Sequence, residues 1–340
     1  MPPFHKALNV VGGGTTSNGA ATFRGVIDPI WSVGAIPHGG YVLALIIEAC
    51  IKHQHDTPHQ DPIHVTAHYL RPSSPSSFEV HIRIIKVGKG FTNLTAELVQ
   101  NDVVKVTTHL IFGDNNPNSA QRKGPPLTIL PPSGYARRLP LYEHPSQAKR
   151  EALRHTWTFH PHVVWAPDQQ LLEGNKSDSP LRTTEETVGG GGVEWGVWFE
   201  FTDAGERVTN PYLPFLVDIF LNFPSLLPKS ERVGLSTSWF PTMTLSLEFK
   251  FPIPPASSVH HSARTVGLYS SSKFMQDPQG RHEAYVEVWT APTNIGEGKI
   301  EAGWRDRQVC LAVATQMALT IPFEVNLNRR KIAKEDNAKL

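Results

Sequence analysis

Cysteine is scarce in this chain: two of 340 residues, Cys50 and Cys310. Both sit inside apolar runs, which excludes a disulfide scaffold and leaves a reducing compartment as the expectation. An excess of charge is also lacking. Thirty-two basic residues face 31 acidic ones, so composition gives a nucleic-acid-binding surface no support. No apolar run reaches the ~20 residues of a bilayer span, because Glu48 and Asp218 interrupt the longest two. The opening MPPFHKALNVVGGGTTSNG has neither the basic start nor the apolar centre of a secretion signal, and residues 1–19 read as a flexible lead-in. The Gly-x-Ser-x-Gly elbow is absent, which argues against the serine route of the α/β-hydrolases. Gly189 to Gly192 lack the Lys-Ser/Thr that completes a phosphate loop and read as a hinge. His53, His55 and His59 read as a solvated loop rather than a ligand set, so no metal and no cofactor is expected.

What the chain does have is a repeat. IHVTAHYLRP (Ile63 to Pro72) and MTLSLEFKFP (Met243 to Pro252) each alternate apolar and polar residues and end at an aromatic, a base and a proline. Ahead of them lie two helix-like apolar stretches, YVLALIIEACI and YLPFLVDIFLNF, and ahead of those two strand-like ones, ATFRGVID and GVEWGVWFEF. Period-two alternation marks half-buried strands, and an all-round apolar run of this length marks a buried helix. The order strand, helix, run of long strands, met twice, predicts a duplicated α+β domain. The boundaries that follow are a first unit over 20–113 and a second over 192–325, with a helix expected over 211–226. A duplicated pair of this kind is expected to enclose one pocket between its halves.

Residues 114–191 turn rich in Pro, Ser, Gly and charge, too long for a plain loop. They read as a linker with one ordered aromatic piece, HTWTFHPHVVW. Residues 326–340 read as a polar tail. Its last three, Ala338, Lys339 and Leu340, differ from the Ser-Lys-Leu address by one hydroxyl, which predicts recognition by the peroxisomal import receptor, with the cytoplasm as the alternative location.

Two places carry candidate chemistry. Asp218 stands in a helix-like run of Leu, Phe, Val and Ile, where burial raises a carboxylate's pKa toward that of a general base. With Asn222 and Ser225 it would equally make a polar stripe facing solvent, and the residues alone favour that blander reading. His38-Gly39-Gly40 precedes the first helix, where bare amides favour negative charge. A tight loop-to-helix turn explains the same residues about as well.

The motifs together, WSVGAIPHGGYVLALIIEA, HVTAHYLRPSSPSSFEV, LPFLVD, TMTLSLEFKFP and CLAVATQ, resemble the acyl-CoA thioesterase II type of double-hotdog thioesterase over 20–113 and 192–321. The resemblance implies two antiparallel sheets, each curled around a long central helix, and hydrolysis of acyl-CoA to a free acid and CoA in fatty acid metabolism. It implies a water held by an aspartate, a threonine and a glutamine, which by motif are Asp218, Thr242 and Gln316. Many relatives have an acid where this chain has Thr244, so Thr244 stays a second candidate for the threonine's role. The amides of Gly39, Gly40 and Tyr41 are assigned to the thioester oxygen, and the resemblance gives His38 a structural or substrate-contacting role. The departure at Thr244 and the long linker leave open another enzyme on the same scaffold (a dehydratase, cyclase or hydrolase of secondary metabolism) and a non-catalytic acyl-binding module. Edge strands of such pairs join into larger assemblies, so a homo-oligomer is also an expectation.

Overall fold

The structure, a computed structural model, describes residues 2–13, 20–115, 127–182, 186, 188–232 and 234–328. The tripeptide Ala338-Lys339-Leu340 lies outside the described residues. Among the described residues no helix is long and apolar enough to cross a membrane.

The first apolar run forms helix α1 (Gly39–Gln54), with every residue from Gly40 to Ile47 buried. Its two charges leave together: Glu48 pairs with Lys52 one turn on at 3.2 Å, and Lys52 Nζ donates to Val10 O at 2.9 Å. The first half gives six strands to the large sheet: β1 (Val10–Gly12), β2 (Ala20–Val26), β3 (Asp61–Tyr69), β4 (Ser77–Val87), β5 (Thr92–Gln100) and β6 (Val103–Gly113). The β5–β6 turn is the tight hairpin that Asn101-Asp102 predicts, with φ of 50° and 58° at the two central residues. Strand β7 (Val163–Pro167) comes from the middle segment. The second half supplies β8 (Val193–Phe201), β9 (Thr242–Phe249), β10 (Thr265–Ser272), β11 (Met275–Gln276), β12 (Arg281–Thr290) and β13 (Cys310–Ala318).

Two separate sheets are expected from the sequence; the structure has one large sheet of thirteen strands. Its order is β1-β2-β4-β5-β6-β3-β9-β13-β12-β10-β8-β7, with β11 added to β12. The seam is β3 against β9, antiparallel, with Leu245 opposite Ala67 and Leu247 opposite Val65. Each half alone would leave a row of backbone N–H and C=O groups bare at that edge, and pairing the edges satisfies both. Thr66 pairs with Ser246, its own counterpart in the repeat that aligns Pro72 with Pro252, so a pseudo-two-fold axis passes through this pair.

The second expected helix is not continuous. A 3₁₀ turn (Asn210–Tyr212) runs into one α turn (Leu213–Leu216), and helix resumes over Phe223–Leu226. Between them the bonds tighten from Val217 N to Leu213 O into the i−3 pattern, Asp218 N to Phe215 O at 3.2 Å. Pro224 cannot donate to Phe220 O, and Asn222 turns extended at ψ 151°. Asp218 and Asn222 therefore do not share a helical stripe.

Both connecting segments are more ordered than their composition suggests. The lead-in folds into a turn (Phe4–Ala7), and fully buried Phe4 packs on Trp31, Tyr212 and Phe215 at 4.6–4.8 Å between ring centroids. From the middle segment, Phe159 stacks on Trp31 at 5.5 Å and meets Phe215 edge-on at 5.3 Å. Leu139, Leu141 and Leu171 form a second core with Trp198 and Trp289. These aromatics fasten the joint where the candidate site sits.

Candidate active site

Asp218 follows the short turn Leu213–Leu216 of the second half and reaches the N-terminus of α1 in the first. Its Oδ2 accepts the Gly40 N–H at 2.6 Å. That amide is one of the four that a helix start leaves without an internal partner, and the helix dipole there favours a negative charge. Gly40 has to be glycine for this approach. A Cβ on it would run into Pro214 O and stand 2.7 Å from the Asp218 Cβ and 2.8 Å from the Phe215 Cα.

The two other water-holding candidates converge on the same carboxylate. Thr242 Oγ1 lies 3.3 Å from Asp218 Oδ1 and 2.9 Å from Gln316 Oε1. One hydroxyl proton serves only one of these acceptors at a time. Gln316 is buried, and its Nε2 points to Val217 O at 3.5 Å, at the outer limit of a hydrogen bond. A β-bulge between Thr242 and Thr244 turns Thr242 inward. Thr244 sits one position before the fully buried Leu245, and alternation along the strand sends it to the opposite face. Among the described residues, Thr244 makes no hydrogen bond to Asp218.

Burial raises the Asp218 carboxyl above the ordinary range; His38, the Gly40 amide, Thr242 and Gln316 all pull it back down, and burial prevails. For His38 burial lowers the imidazole's pKa and outweighs the nearby carboxylate. Its Nδ1 lies 3.5 Å from Asp218 Oδ2, beyond a good hydrogen bond, and has no hydrogen-bond partner among the described residues. The ring is wedged edge-on against Phe215 and Phe159 at 5.1 and 5.8 Å. A His38 whose pKa burial lowers therefore sits beside a carboxyl whose pKa burial raises.

Of the four residues expected to meet substrate, two reach a cavity. His38 and Gly39 line a space of about 510 Å³ that also holds Asp218, Thr242, Tyr69, Trp157, Trp239 and Phe240 in its wall. Gly40 and Tyr41 do not line it. The Gly40 amide already serves Asp218, which corrects its assignment to the thioester oxygen. Tyr41 is buried, and its hydroxyl donates to Ala7 O at 2.9 Å and accepts the Asp28 N–H at 3.1 Å. Sequence reasoning missed Tyr69, whose hydroxyl donates to Gly39 O at 3.2 Å and fixes the loop. It is the aromatic just ahead of the Leu70-Arg71-Pro72 end of the repeat, a signal that was visible but had no assigned task. Trp157 comes from the ordered aromatic piece of the middle segment, which had no assigned task, and Trp239 from a short strand (Ser238–Trp239) paired with Ile321–Pro322 that no motif marks.

Two halves sharing one antiparallel sheet, with a carboxylate at the N-terminus of α1, define a hotdog-fold protein with a candidate hydrolytic site. Residues 27–113 match the family described as the acyl-CoA thioesterase N-terminal domain. A protein from Thermobifida fusca named as a thioesterase II superposes with a TM-score of 0.62 at 19% identity, covering 94% of this chain and 98% of that one. The thioesterase-like protein TwmA of Talaromyces wortmannii is 25% identical over 76% of this chain and 84% of its own length. The ustilagic acid biosynthesis cluster protein orf2 of Mycosarcoma maydis is 25% identical over 48% of this chain, which spans about half of that relative, 49%. The resemblance to the acyl-CoA thioesterase II type of hotdog thioesterase is thereby borne out.

Proposed function

We propose that the protein hydrolyses acyl-CoA thioesters, with Asp218 as the general base. The observation that carries the reading is a buried carboxyl of raised pKa, bonded to Thr242 and the α1 N-terminus, in the wall of a largely apolar cavity. A water held by Asp218, Thr242 and Gln316 gives its proton to the Asp218 carboxylate as its oxygen bonds to the thioester carbon. The negative charge that grows on the carbonyl oxygen is met by the Gly39 amide beside it. The C–S bond then breaks, and the departing thiolate takes the proton back from Asp218, which leaves a free acid and CoA. Neutral His38 keeps a second charge out of the pocket. The test is a panel of acyl-CoAs with free-thiol detection; release of CoA from none of them would remove the reading.

A second acyl source has one observation in its favour. One of the two relatives is named for the ustilagic acid biosynthesis cluster. The acyl group on that reading belongs to a secondary metabolite, and the same panel extended to such thioesters separates the two.

Two outcomes follow from the geometry. Thr242→Val lowers turnover by about tenfold, the worth of one hydrogen bond of ~1.4 kcal/mol, while Thr244→Val leaves it unchanged. Equal effects in a steady-state assay would place the hydroxyl's role elsewhere. A base must be ionised, so kcat falls as pH drops through the raised pKa of Asp218, and the acid limb stands above the ordinary carboxylate range. Stability moves the other way. The folded chain holds this proton more tightly than the unfolded one, so the protein gains stability as pH falls from above the raised pKa toward the ordinary one. A pH–rate profile with its acid limb at an ordinary aspartate pKa would contradict the assignment.

A further inference from the structure

The duplication predicts one pocket; the described residues also line a second of nearly equal size. The second, about 530 Å³, is lined by Arg207, Thr209, Asn210, Pro252 and Ile253 among others. It is the pseudo-symmetric image of the first. Under the alignment of Tyr41 with Tyr212, His38 and Gly39 become Thr209 and Asn210. Under that of Pro72 with Pro252, Pro241 becomes Asp61 and Pro72 becomes Pro252. Each of these eight residues lines its own cavity. Even the bulge is repeated: β9 shifts register between Thr242 and Thr244, and β3 between Pro62 and His64.

The chemistry is not repeated. Thr242 maps onto Pro62. Gln316, opposite Leu245 on β13, maps onto Leu110, opposite Val65 on β6. Asp218 maps onto Ile47 and Gly40 onto Pro211, which has no N–H to give. Base, both water-positioning groups and the helix-start amide are all replaced by side chains that cannot do their work. One feature is new: Arg207 stands where the first cavity has Ile36. It is exposed and, among the described residues, makes no ion pair or hydrogen bond. Asp61, also in the wall, is engaged, its Oδ2 accepting the Asn115 N–H at 2.9 Å. Behind Arg207 the wall turns apolar with Val208, Ile253, Val266 and Leu311.

We infer that this second cavity is a non-hydrolytic binding site for an acyl chain carrying an anionic head group, the chain in the apolar interior and the head on Arg207. The choice of an acyl body rests on the thioesterase reading of the twin cavity. Two sources share this chemistry, a free carboxylic acid and an acyl-CoA. Calorimetric titration with decanoate and with S-decyl coenzyme A, a thioether that water cannot cleave, distinguishes them. The wild-type protein takes up an equivalent of one or both beyond that held at Asp218, and Arg207→Glu weakens this equivalent by about tenfold or more. Loss of the decanoate equivalent identifies the free acid as occupant, and loss of the S-decyl coenzyme A equivalent identifies the thioester. Ile253→Trp, which fills the cavity without touching Arg207, removes the same equivalent. In both variants kcat/KM for thioester cleavage stays at the wild-type value. Titrations in which Arg207→Glu changes neither ligand's stoichiometry nor affinity would overturn the inference. Failure of the thioesterase reading shows separately, as absence of thiol release from the wild type.

Discussion

Asp218→Asn lowers thiol release by about 10³-fold, the middle of the range for removal of a general base, and leaves acyl-CoA binding intact. The two consequences separate because the substitution is nearly isosteric. An asparagine carbonyl still accepts the Gly40 N–H, and its side-chain NH2 donates to the Thr242 oxygen while that hydroxyl donates to Gln316, so the bonds that hold α1 against the second half persist. What disappears is the capacity to take a proton from water. The variant is also at least as stable as the wild type at neutral pH, because a neutral amide suffers less from burial than the carboxylate whose pKa burial has raised. Single-turnover kinetics, an equilibrium titration with a non-hydrolysable thioether and a thermal melt check the three parts. Unchanged turnover would take Asp218 out of the mechanism. Lost turnover with lost binding and a collapsed melt would make it a structural residue.

Much of this site was legible because its parts sit in motifs on the core side of regular elements. Asp218 and Gln316 each interrupt an otherwise apolar run, and His38-Gly39-Gly40 precedes a helix that is apolar on every side. The long strands of both halves were legible, down to the Asn101-Asp102 turn, whereas β1 and β7 lie in segments read as a lead-in and a linker. What could not be read was how the halves meet. The β3–β9 seam depends on two edges that each look like an ordinary half-buried strand. Whether they pair or stay apart is decided by backbone groups that no side-chain pattern reports. The choice between Thr242 and Thr244 had the same origin, since a bulge inserts one residue without changing the sequence's alternation enough to locate it. The break after Leu216 was hidden because apolar periodicity continues to Phe223, while the tightened turns that end the helix follow from the docking of Asp218 on α1. The aromatic piece that holds Phe159 was read as ordered, but Phe4 and Leu141 went unread because their segments looked like plain connectors.

Gly40→Ala destabilises the protein by about 3 kcal/mol, the upper end of what a single added carbon costs in a packed interior. The position explains why the effect is large. The new methyl group points at backbone, Pro214 O and the Phe215 Cα at 2.8 Å, and not at the end of a flexible side chain that could swing aside. Helix α1 and the turn Leu213–Leu216 must then move apart, and Asp218, whose Cβ stands 2.7 Å from the intruding carbon, moves with the turn. The 2.6 Å bond from the Gly40 amide lengthens, the aromatic joint of Phe4, Trp31, Phe159 and Phe215 loosens, and turnover per folded molecule falls along with stability. Gly90→Ala is the matched control, since nothing lies within 4 Å of a Cβ there and its φ is not positive. Its effect stays within about 0.5 kcal/mol. Urea denaturation of the two variants, with activity scaled to the folded fraction, measures both consequences. A Gly40→Ala protein as stable and as active as Gly90→Ala would mean that the two halves do not approach this closely, and with that contact the joined site of Asp218 and the α1 N-terminus would go as well.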